Sequence, residues 1–129
     1  MSAPPVSKRV RPAALNAVVT TLAVPGLGQP TGIFVLADGN RLVASSSEDT
    51  IFQLPPSDRL ATLTGNRCEL GELKDGEGIA ARFNPPYDLK VDRAGNVVVA
   101  DLANNAVRTV TRADAVVSTL TGNGEAGFD

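Results

Sequence analysis

The feature that most constrains this chain is a pattern that occurs twice. Gly39-Asn40 recurs as Gly95-Asn96, 56 residues later, and Thr62-Leu63-Thr64-Gly65 recurs as Thr119-Leu120-Thr121-Gly122, 57 residues later. Under that offset Ile33 falls on Leu89, Val35 on Val91, Ala44 on Ala100 and Ile51 on Val107. In the later copy, Leu89-Lys90-Val91 meets Val97-Val98-Val99-Ala100 across Arg93-Ala94-Gly95-Asn96. That is a hairpin signal, because Gly and Asn tolerate the positive φ of tight turns. Ala106 to Val110 and Val116 to Thr121 supply two more runs. The earlier copy has runs at Gly32 to Leu36, Arg41 to Ser45, Thr50 to Leu54 and Leu60 to Thr64, so each copy reads as four short antiparallel strands. The β-branched stretch from Ala17 to Leu22 reads as a further strand before the break at Pro25 to Pro30.

Units of four short strands, repeating every 40–50 residues or slightly more, are the mark of propeller blades. A lone blade exposes both apolar faces, and two blades do not close a ring of about 4–8. The expected fold class is therefore all-β: four-stranded antiparallel propeller blades, about two blades of an incomplete propeller. Residues 1–16 read as a flexible N-terminal segment and 17–129 as the partial propeller. Within it lie a blade over 17–64, a polar loop over 65–80, a second blade over 81–121 and the start of a further repeat over 122–129. On this reading the chain is a piece of a longer protein. If it were complete, its uncovered faces and edge strands would drive self-association.

Composition narrows the chemistry. The chain has no His, which removes the commonest general base and metal ligand. Its single Cys68 makes no intramolecular disulfide, which points to a cytoplasmic protein, and the basic start with Lys8, Arg9 and Arg11 leaves organelle targeting as the alternative. No run approaches the ~18 apolar residues of a membrane span, and a net charge of −2 gives no general pull toward a polyanion.

The second unit resembles the NHL-repeat family, whose repeats are blades of six-bladed β-propellers. The resemblance rests on Asp75-Gly76-Glu77-Gly78, Ala81-Arg82-Phe83-Asn84-Pro85, Leu89-Lys90-Val91-Asp92, Gly95-Asn96 through Asp101, and Asn104. It covers residues 60–121 well and 19–64 weakly. Where the family carries Asn-His and then an aliphatic or basic residue, this chain has Asn104-Asn105-Ala106, and Ser45 stands in the first unit where Asp101 stands in the second. The resemblance implies an NHL-type propeller and a protein-binding scaffold.

Each candidate for chemistry has a plainer explanation. Asp75-Gly76-Glu77-Gly78 suggests a calcium loop but lacks the closing bidentate Glu, so it reads as an inter-strand connection. Asp92 and Asp101 read as turn caps that bond their own backbone. Ser45-Ser46-Ser47 has no base to activate it, and Cys68 stands in no motif. Arg82, Arg93, Arg108 and Arg112, with Lys90, would line a basic face able to hold RNA if their turns lay together, but stacking partners are scarce: Phe83 and Tyr87 are the nearby aromatics, and Phe83 reads as core. The expected function is a non-catalytic scaffold without cofactor or metal, binding another protein through loops or a blade face. Asp75, Glu77, Arg82, Tyr87, Arg93 and Arg108 are the candidate interaction residues. A propeller hydrolase or lactonase and an RNA-binding propeller are the alternatives.

Overall fold

Two turns of identical backbone set the register of the molecule. Gly39 (φ 89°) and Gly95 (φ 88°) sit in the left-handed region. The backbone N–H of Asn40 donates to Asp38 Oδ1 at 2.9 Å, and that of Asn96 donates to Asp92 Oδ1 at 2.9 Å. Asp92 also accepts from the Ala94 N–H, so this acid does cap its own turn. The carboxylates fix the turns, and the alternating runs on either side pair outward from them.

The computed structural model describes residues 17–67 and 73–125. The first sheet is built from β1 (Pro30–Val35), β2 (Arg41–Ser45), β3 (Thr50–Leu54) and β4 (Ala61–Gly65), in that spatial order and antiparallel throughout. The second contains β5 (Gly76–Glu77), β6 (Pro86–Val91), β7 (Val97–Asp101), β8 (Ala106–Thr111) and β9 (Val116–Thr121), in the order β5-β9-β8-β7-β6. The irregularities repeat as well. A register shift at Pro30/Gly32 matches one at Pro86/Asp88, and one at Ile51/Phe52 matches one at Val107/Arg108. The left-handed residues Asp49 and Asn105, and the positive-φ glycines Gly65 and Gly122, also correspond.

The sheets stack face to face. Leu42, Ala44 and Ile51 of the first pack with Phe83, Leu89, Val97, Val99, Val110 and Val117 of the second, each at most 1% exposed. Full burial of such aliphatic or aromatic side chains contributes about 1.5–3 kcal/mol each. The contact is close enough to need glycine. A Cβ on Gly32 would lie 2.9 Å from Asp88 Cα, and one on Gly65 would lie 3.0 Å from the Phe83 ring.

The fold differs from expectation in two places. Residues 17–24 form no strand; Val18 and Val19 are 80% and 93% exposed. Conversely, the segment read as a plain loop over 65–80 contains β5, which pairs with β9, followed by a 3₁₀ turn at Gly78–Ala80. The expected flexible segment over 1–16, Cys68 and the last residues of the expected further repeat, 126–129, lie outside the described residues. Among the described residues, no helix is long and apolar enough to cross a membrane.

Candidate functional site

Strand alternation in β8 puts Arg108 on the same side as Ala106 and Val110, both buried, and so carries a cation into the core. A guanidinium is stable there only if acids and carbonyls meet it. They do. Arg108 NH1 donates to Asp101 Oδ2 at 2.6 Å and to the Arg82 carbonyl at 2.9 Å. NH2 donates to Asp75 Oδ1 at 2.9 Å and to the Lys74 carbonyl at 2.8 Å. The cation also lies 5.1 Å from the centroid of the Phe83 ring, a cation–π contact beneath it.

Asp101, at the end of β7, is the second member. Its carboxylate accepts from the Asn84 backbone N–H at 2.6 Å and from Asn104 Nδ2 at 2.8 Å, in addition to Arg108. Both side chains of the Asp101–Arg108 pair are fully buried. Asp75 closes the network from the rim, with its side chain 51% exposed, and takes a further 2.8 Å bond from Thr119 Oγ1. Burial works to raise the Asp75 carboxyl, but the bonds from Thr119 and Arg108 outweigh it and hold its pKa below the ordinary value. The arrangement straps residues 74–82 onto the second sheet. An isolated bridge between Lys74 and Arg82 folds that segment back on itself, and Arg108 bonds both of its carbonyls.

The six candidate interaction residues therefore separate. Asp75, Arg82 and Arg108 come together in the strap, and Glu77 lies exposed beside them on β5. Tyr87 stands on β6, 48% exposed, and Arg93 is exposed in the turn at the opposite end of the β6–β7 hairpin from Asp101. Arg108 is not an exposed contact residue; it is 0% exposed, because its strand position faces the core. Arg108 thus drops out of the expected basic face, and Phe83 is fully buried beneath it, as its core reading implies. Asp101 also reaches beyond its own turn: among its partners are the Asn84 N–H, 17 residues away, and the side chains of Asn104 and Arg108. The local signal for this network was modest: an acid, an Asn and an Arg at Asp101, Asn104 and Arg108, with Arg108 in phase with two apolar neighbours.

No family model matches the chain, and no curated protein matches it. Solved structures do. A structural-genomics protein of unknown function from Bacteroides thetaiotaomicron VPI-5482 matches 73% of this chain at 21% identity and a TM-score of 0.65. Selenomethionine-substituted virginiamycin B lyase from Staphylococcus aureus matches 76% at 14% identity and a TM-score of 0.53. The matches cover 24% and 28% of those proteins, so the chain spans about a quarter of the length of each. Together with the two antiparallel sheets, these likenesses show a β-propeller-like, all-β fold.

Proposed function

We propose that the chain is a non-catalytic interaction scaffold of the NHL-repeat type, working in the cytoplasm and binding another protein through its exposed turns. The observation that carries this reading is the use of Arg108, Asp101, Asn104 and Asp75. The cation and acids that would be candidates for chemistry hold the second sheet together, while the rigid sheets present Tyr87 and the Arg93 turn to solvent. A photo-crosslinking residue placed at Arg93 in the full chain is expected to capture one defined protein in cells, and Tyr87→Ala or an altered neighbouring turn to weaken that capture. Uniform background labelling, unchanged by those substitutions, would count against the scaffold.

A second reading has the fold of virginiamycin B lyase in its favour: a segment of a propeller enzyme of the lyase, hydrolase or lactonase kind. Incubating the full chain with virginiamycin B and with simple lactones, with and without added divalent metal, distinguishes the two. Turnover above a heat-denatured control would replace the scaffold reading.

A further inference from the structure

Every asparagine of the chain except one is followed by a residue that carries a side chain. The exception is Asn123-Gly124, just past the end of β9. Its place has a counterpart in the first unit, where Asn66 follows Gly65 as Asn123 follows Gly122, the two preceding glycines standing at φ values of 95° and 99°. Both asparagines are exposed, but Arg67 follows Asn66. Asn66 is exposed with a whole further unit after it, so openness belongs to the position.

The backbone at Asn123 turns the side chain toward its own chain. Asn123 Oδ1 accepts the Glu125 N–H at 2.9 Å, which is an Asx turn and folds the side-chain carbonyl back over the peptide that joins Asn123 to Gly124. Among the described residues no acceptor holds the Gly124 N–H. Gly124, at φ 88°, also puts no Cβ beside that nitrogen.

We propose that Asn123 is a site of intramolecular deamidation, in which the Gly124 backbone nitrogen attacks the side-chain amide of Asn123. Hydroxide takes the proton from the Gly124 nitrogen, which then forms a bond to Asn123 Cγ. The negative charge passes to Oδ1, where the Glu125 N–H already lies and meets it as it develops. Collapse breaks the Cγ–Nδ2 bond, and the nitrogen takes a proton from water and leaves as ammonia. Water opens the resulting succinimide at one carbonyl or the other, giving aspartate or isoaspartate, and either product adds one negative charge. The aspartate keeps an acceptor for the Glu125 N–H. The isoaspartate carries an extra methylene in the main chain, beside the place where a Cβ on Gly124 would lie 3.5 Å from Leu73 Cδ2. Leu73 leads into the strap that begins at Lys74, so the isoaspartate product is the one that disturbs it. The chemistry lies within Asn123 to Glu125 and depends on neither the scaffold nor the enzyme reading.

Peptide mapping of the full chain, held folded in mildly alkaline buffer and sampled over days, tests it. Trypsin cleaves after Arg59, Arg67 and Arg112, which puts Asn66 and Asn123 in separate peptides. The peptide that begins at Ala113 is expected to gain one mass unit and to split into two chromatographic products, faster at higher pH because the attacking nitrogen must lose its proton. The peptide over 60–67 is expected to keep its mass. Glu125→Pro removes the N–H that meets Oδ1, and an unchanged far-UV circular dichroism spectrum confirms that the variant folds. It is expected to slow the reaction by about three- to tenfold in the folded chain, the worth of one hydrogen bond, and to leave the rate in urea unchanged. A folded chain that keeps its Asn123 amide while the urea-unfolded chain releases ammonia overturns the proposal. So does a folded rate that Glu125→Pro leaves unchanged, which would assign the reaction to the Asn-Gly pair and not to the turn.

Discussion

The two sheets share turns, bulges and register, yet they solve the same interior position with opposite chemistry. In the second sheet Asp101, Asn104, Arg108 and the rim acid Asp75 form a charged strap. At the corresponding positions the first sheet has Ser45, Glu48, Phe52 and Val19. Phe52 is 8% exposed and fills its site with a ring, but a ring donates no hydrogen bond to a neighbouring backbone. The consequence is visible next door. Residues 74–82 are held on the second sheet and form β5, whereas residues 17–24 form no strand on the first. The exchange of Arg for Phe comes with an exchange of Asp for Ser, and the physics explains the pairing. An aspartate facing Phe52 would be a buried charge without a counter-ion, whereas Ser45 leaves only a neutral Oγ without a hydrogen-bond partner. An unmet neutral group costs about 1–3 kcal/mol, less than an unpaired charge.

The strongest way to break this comparison is to place the chemistry of the first sheet in the second. Arg108→Phe strands the Asp101 carboxylate in the core, and a loss of about 3–5 kcal/mol in urea unfolding is expected. Adding Asp101→Ser should return a large part of that loss, giving a coupling of about 1–3 kcal/mol in the double-mutant cycle. Purely additive costs would show that the pairing between the sheets is accidental.

Hydrogen exchange sharpens the same point locally. In the wild type, the backbone amides of residues 76–78 should exchange slower than those of residues 17–24 by about tenfold or more, the equivalent of roughly 1.4 kcal/mol. The Gly78 N–H, for example, donates to the Ala115 carbonyl at 2.9 Å. In the Arg108→Phe/Asp101→Ser variant that difference should disappear. Retained protection would mean that β5 is held by its pairing with β9 and not by the strap. The hairpin glycines share their positive φ but not their surroundings. Gly95→Ala, whose Cβ meets open space, should lower stability by about 1 kcal/mol through φ alone. Gly39→Ala should lower it somewhat more, with the larger drop in thermal midpoint, because its Cβ would lie 3.2 Å from Pro56 Cγ.

What the sequence made legible was whatever is specified within a few residues. The Gly-Asn hairpins, the Asp92 cap and the four-strand period are local devices, and the eight longer strands lie where alternation and turn chemistry put them. The strap was not local. Asp75 and Arg108 stand 33 residues apart, and nothing in either neighbourhood announces the other. Arg108 in a run of apolar alternation was the available hint, but charge outweighed phase in the reading of its side. β5 has two residues, too few to show any period. The stretch Ala17 to Leu22 failed in the opposite sense. Its β-branched composition suits a strand, but a strand exists only where a neighbour accepts its hydrogen bonds, and the first sheet has Phe52 at the position from which Arg108 holds the corresponding segment.

The smallest expected effect separates the strap from its rim. Asp75 in the second sheet and Asp38 in the first are both held below the ordinary carboxylate pKa, by different means. For Asp75, burial opposes the shift and the Thr119 and Arg108 bonds prevail; for Asp38, the bonds from the Asn40 backbone and side chain dominate. A carboxyl depressed in the folded state adds stability that is present above its unfolded pKa of about 3.9 and is lost as pH falls through the folded value. Both acids therefore weaken the protein below about pH 4, and neither affects its pH dependence near neutrality. With its side chain about half exposed, Asp75 should contribute less than about 1 kcal/mol of that acid loss. Comparing urea midpoints at neutral and acid pH, Asp75→Asn should flatten part of the wild-type decline. In the Arg108→Phe/Asp101→Ser background the same substitution should flatten it less, because only the Thr119 bond then remains to hold the acid low. An undiminished effect in that background would assign the depression to Thr119 alone and place Asp75 outside the strap.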